Sequence, residues 1–79
     1  MKLPRDVDAD SLCKALGRLG YSIVRQSGSH IRLRCPIPEH AITVPNHRPI
    51  RVGTLAAILQ ELAAAHHMDR QQLLEKIFG

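Results

Sequence analysis

Residues 30–34, HIRLR, alternate strictly between polar and apolar side chains, the period of a strand with one covered face. Ile31 and Leu33 fall on one side, and His30, Arg32 and Arg34 on the other. The preceding YSIVRQ is rich in β-branched residues and bounded by Gly20 and the Ser27-Gly28-Ser29 cluster, which predicts a partner strand joined by a short turn. Pro36 and Pro38 interrupt the pattern before AITV, residues 41–44, whose Ile42 and Val44 share a face and predict a third short strand. The outcome is a three-stranded meander with one apolar and one polar face.

The flanks follow a helical period. Asp8 precedes ADSLCKALGRLGY as an N-cap, and Leu12, Leu16 and Leu19 recur at helical spacing, predicting a helix from about Asp8 to Leu19 ended by Gly20. Residues 45–49, PNHRP, are too rich in breakers to be regular. In GTLAAILQELAAA an apolar stripe of Leu55, Ile58, Leu59 and Leu62 predicts a second helix capped by Gly53 or Thr54. Asp69 and Gln72 have the spacing of a capping box and open a third helix that presents Leu73, Leu74, Ile77 and Phe78. The order helix, three strands, two helices describes one α+β domain over residues 1–79. Helices can cover only one side of so small a sheet. A one-residue slip would bury His30, Arg32 and Arg34 without partners, so Ile31 and Leu33 must face the helices and the His/Arg row must face out.

Composition changes this picture in one respect. The hydrophobic fraction of 44% and charged fraction of 23% are those of a globular chain. The net charge of +4 is unevenly spread: from Lys14 to Arg51 seven basic residues stand against a single acid, Glu39. Such a middle suits a polyanion, although a solvated basic surface has the same composition. The apolar runs are too short for a membrane span or a secretory signal. A cytoplasmic location with Cys13 and Cys35 both reduced is therefore expected. The spacings of Cys35, His40 and His47 fit no zinc pattern, and His66 and His67, read as adjacent helical residues, point about 100° apart rather than to one ion, so no metal or cofactor is expected.

Histidine is the side chain whose ordinary pKa suits it to act as both base and acid near neutrality. RNA scission needs a base for the 2′-hydroxyl proton, an acid for the leaving 5′-oxygen, and cations around the phosphate as charge builds. His30 with Arg32, Arg34 and the neighbouring-strand Arg25 would supply these parts, while an exposed strand histidine beside arginines is also an ordinary surface arrangement. His47 can orient His30, donate a second proton or bind phosphate, or simply fix its loop by a backbone hydrogen bond. Lys14 and Arg18, four apart on the first helix, can track a phosphate backbone or form a solvated face. Ser29 belongs first to the turn and second to a close approach to RNA. With Tyr21 and Phe78 the only aromatics, base stacking on the sheet has little to work with.

The ordered segments KLPRDV, LCKALGRLGYSIVRQSGSHIRLR, ITVPNH and GTLAAIL resemble the HicA, or YcfA-like, toxin family of bacterial and archaeal toxin–antitoxin systems, over roughly residues 2–62. The resemblance implies a fold similar to the double-stranded-RNA-binding domain. It also implies a ribosome-independent mRNA endonuclease of a type II pair, with the histidine of G-S-H, here His30, as the catalytic residue. It further implies a HicB-type antitoxin that covers that histidine. The tail ELAAAHHMDRQQLLEKIFG departs from the family pattern by adding an amphipathic helix. Two other functions fit the residues alone: a non-catalytic double-stranded-RNA-binding module, and an interaction protein whose polar face meets an acidic partner.

Overall fold

The computed structural model describes residues 6–79; the leading K-L-P-R, residues 2–5, lies outside the described residues. The chain runs α1 (Ala9–Gly17), β1 (Ser22–Ser27), β2 (His30–Pro36), β3 (Glu39–Pro45), α2 (Val52–Ala65) and α3 (Arg70–Phe78). The strands form one antiparallel sheet in the order β1-β2-β3. This is the α+β architecture that the alternating and helical periods predict.

Asp8 caps α1 by accepting a hydrogen bond from the Ser11 backbone N–H at 2.8 Å. That bond holds the Asp8 carboxyl below its usual pKa. The helix ends at Gly17, two residues short of the expected Leu19, and the turn after it passes through Gly20 at φ +99°. Only a glycine adopts that angle without strain, and Cys35 Sγ lies 3.4 Å from where its Cβ would stand. β3 begins at Glu39 rather than Ala41: Ile37 and Pro38 form the turn itself, so the prolines bound the ladder instead of interrupting it.

The cap of α2 differs from expectation. Arg51 occupies the N-cap position, with no side-chain hydrogen bond, and Gly53 and Thr54 lie inside the first turn. Ile50 is buried, and its N–H bonds the carbonyl of Val7 at 2.8 Å, so the chain is already pinned where the helix must start. At α3 the capping box of Asp69 and Gln72 is present with both of its hydrogen bonds.

Leu12 and Leu16 of α1, Leu55, Leu59 and Leu62 of α2, and Leu73, Leu74 and Ile77 of α3 pack in one core with Ile31, Leu33, Ile42 and Val44 of the sheet. α1 lies against β1 and β3 and α2 against β3, but only β2 and β3 bury side chains beneath the helices. Every residue of β1 is exposed, whereas β2 alternates exposed and buried along its length. Among the described residues no helix is long and apolar enough to cross a membrane.

One polar cluster lies at the margin of this core. The buried Tyr21 hydroxyl is 2.6 Å from His40 Nδ1 and 2.9 Å from His66 Nε2, and His40 Nε2 is 3.0 Å from Glu61 Oε2. A carboxylate only accepts, so His40 donates from Nε2. With that ring neutral, its Nδ1 accepts from the tyrosine, whose oxygen accepts in turn from His66. Burial pushes the Tyr21 phenol up to about 12, which keeps its proton in the chain of bonds. His66 and His67 are not adjacent helical residues as their sequence suggests, because His66 caps α2 and His67 turns the chain at φ +55°.

Burial, with the neighbouring His40 and His67, lowers the pKa of His66 from 6.5. The unfolded chain then takes up a proton that the folded chain resists, so stability is complete above about pH 6.5 and declines as pH falls below it. Thermal unfolding of the native chain should therefore move to lower temperature between pH 7 and pH 5, and the decline should be shallower in His66→Gln. Identical profiles for the two would show that this histidine does not govern the acid limb.

Candidate nucleic-acid interface

The turn between β1 and β2 sets the geometry of the polar face. Gly28, at φ +55°, takes the left-handed conformation a two-residue hairpin requires, and Ser27 then pairs directly with His30. Counting along the ladder, Arg25 stands opposite Arg32, and Ser22 opposite Arg34. On the other side His30 pairs with Pro45, Arg32 with Thr43 and Arg34 with Ala41. Cross-strand partners share a face, so His30, Arg25, Arg32 and Arg34 all stand on the side away from the helices.

This register needs a correction partway along β1. The ladder shifts between Ile23 and Arg25, with Val24 as the extra residue. The bulge keeps Ile23 opposite the buried Leu33 and turns Val24 toward Ser22, Arg34 and Pro36, where it is 57% exposed.

The cations on the face have different partners. Arg34 pairs with Glu39 at 2.7 Å, and Arg32 donates to Thr43 Oγ1 at 2.8 Å. Both are exposed, and a surface pair of this kind contributes only about 0–1 kcal/mol, little enough for a phosphate to displace. Among the described residues no acid pairs with Arg25 or Arg32. Two like charges directly opposed on neighbouring strands oppose folding. The face thus concentrates positive charge at a cost to the sheet.

The loop after β3 borders this face. The Asn46 N–H bonds the Ser29 carbonyl at 2.7 Å, tying the loop to the hairpin turn beside His30. The His47 N–H bonds Pro45 and its carbonyl accepts from the Ala9 N–H at 3.1 Å, so the backbone of His47 fixes the start of α1 while its side chain is exposed. Lys14 in α1 and Arg18 at its C-cap lie on the helix side of the sheet and do not join the His30 group. Arg18 instead donates to the carbonyl of Gly79 at 2.6 Å. Sequence reasoning missed Thr43 and Glu39, which hold Arg32 and Arg34 in place; the alternation of β3 would have placed Thr43 outward, but not opposite an arginine.

The fold is a helix, a three-stranded meander and two helices, with a histidine and three arginines on one exposed, basic face of the sheet. Residues 9–63 match the family described as HicA toxin of bacterial toxin-antitoxin, and the chain belongs to that family. It is accordingly the toxin of a toxin–antitoxin system and has an antitoxin as partner. No curated protein and no solved structure matches it. The matched segment stops two residues short of the end of α2, so α3 lies wholly beyond it.

Proposed function

We propose that this toxin is an mRNA endoribonuclease of a type II system that cuts by metal-independent acid–base chemistry centred on His30. The observation that carries the reading is the strand register, which stands His30 beside Arg25 and Arg32 on the uncovered face. An exposed imidazole is open to a ribose, and it acts either as the base that takes the 2′-hydroxyl proton or as the acid that protonates the leaving oxygen. Arg25 and Arg32 hold the phosphate as its charge rises, and Arg34 joins them when Glu39 gives way. Ser29 and His47 border the same site and contact neighbouring phosphates, while Lys14 and Arg18 serve the strand farther off. A HicB-type antitoxin silences the enzyme by covering His30, and the reaction is cytoplasmic.

Incubating the purified chain with a single-stranded message and resolving the fragments tests the proposal. Intact RNA, together with duplex binding whose log affinity falls steeply with log salt, would instead identify a non-catalytic RNA-binding module.

Arg25→Gln separates binding from folding. Removing one of two opposed charges should raise the unfolding temperature by about 1–3 °C. Loss of one phosphate contact should weaken RNA binding about fivefold and make it less salt-dependent. A variant that binds RNA as well as the native chain would remove Arg25 from the site.

A further inference from the structure

β3 is the edge strand on the side away from β1, and α2 runs beside it. Between them lies a groove of 320 Å³, within the size range of small-ligand sites. Its β side is lined by Arg32, Thr43 and Pro45, and Pro45 is the cross-strand neighbour of His30. Its helix side is the stripe Thr54, Ala57, Ile58 and Glu61, four residues on one face of α2. The groove therefore starts at the outer face and follows the edge of the sheet, with a guanidinium toward the His30 end. Glu61 marks the other end, since it bonds to His40 at the start of β3.

Glu61 is held there. Its Oε2 accepts from His40 Nε2, and His40 is fixed from behind by the buried Tyr21 hydroxyl. Among the described residues Oε1 has no partner, so a positioned carboxylate oxygen remains available to accept. Along β3 from Pro45 to His40 the chain rises about 17 Å, so Glu61 lies beyond the nucleotide under attack and alongside a flanking one.

The carboxylate end and the small aliphatic wall beside it suit a flat ring whose edge donates hydrogen bonds. Guanine presents an imino and an amino N–H side by side, and cytosine and adenine each present an amino group. Uracil presents a single N–H between two carbonyls, which a carboxylate repels. We infer that the groove between β3 and α2 is a base subsite of the toxin, taking an amino-bearing nucleobase, guanine foremost, from the strand that flanks the cut. This inference rests on the endoribonuclease reading. It makes Glu61 the residue that sets sequence preference, positioned by His40 and Tyr21.

The test is to sequence the ends generated from a random single-stranded RNA by the native chain and by Glu61→Gln. The glutamine side chain still accepts from His40 but can also donate to a carbonyl. The native chain should deplete uridine at one fixed position beside the cut by about fivefold, and the variant should reduce that bias to less than about twofold. A native chain without base preference, or a variant with the same preference, overturns the subsite, and these ratios are independent of the overall rate. If the native chain does not cut at all, the nuclease reading fails separately and binding decides the subsite. Guanosine 3′-monophosphate should then shift the backbone amide signals of Thr43, Ala57 and Ile58 at lower concentration than uridine 3′-monophosphate; equal or absent shifts overturn it.

Discussion

A His30→Ala chain is expected to cut RNA at least about 100-fold more slowly than the native chain. It should nevertheless unfold at the same temperature to within about 2 °C, because substitutions of exposed side chains away from special features change stability little. His30 is fully on the open face, and its ring holds no hydrogen bond among the described residues. Its loss removes the proposed proton carrier without disturbing the packing of Ile31 and Leu33 on the other side of the same strand. The two measurements belong together. A slow variant that melts early would have lost structure, while a stable variant that cuts at the native rate would mean that another group moves the proton. Retained RNA binding in the slow variant would place the defect in the chemical step.

Ending the chain at His66 is expected to abolish cooperative unfolding at 25 °C. The matched family segment stops before α3, which makes that helix look like an appendage. Its contacts argue otherwise: Leu73 and Leu74 are 0% exposed and Ile77 is 2% exposed, all within the same core as Leu59 and Leu62. Burying one such side chain contributes about 1.5–3 kcal/mol, so the three together rival the whole stability of a small domain, about 5–15 kcal/mol. A milder change, Leu74→Ala, should cost about 2–5 kcal/mol, read as a lower midpoint in urea at unchanged slope. A chain ending at His66 that still melts in one sharp transition would show that α1, the sheet and α2 form a sufficient core by themselves.

The open face was legible because its cause is local. Alternation in HIRLR divides the strand into two sides wherever the sheet lies, and the pairing of Asp69 with Gln72 needs no residue outside the first turn of its own helix. Features decided by distant parts of the chain were not legible. Ile23 and Val24 read as an unbroken β-branched pair in β1, and nothing in them marks Val24 as the extra residue of a bulge that leaves Ile23 opposite Leu33. The cap of α2 was misplaced because the helix start depends on Ile50 reaching Val7 across the core. The cluster of Tyr21, His40, Glu61 and His66 draws on three separated segments, and the spacing that excludes zinc does not reveal hydrogen bonds. The mistaken picture of His66 and His67 as helical neighbours came from extending a helix period past its last residue.

The facing guanidinium groups of Arg25 and Arg32 give ionic strength two opposite effects at one spot. In the unliganded protein, dissolved ions shield the repulsion and ease the strain between β1 and β2. With RNA bound as proposed, the same ions compete for the phosphates and loosen the grip. The conditions that best preserve the empty toxin are thus the ones in which it holds its target least.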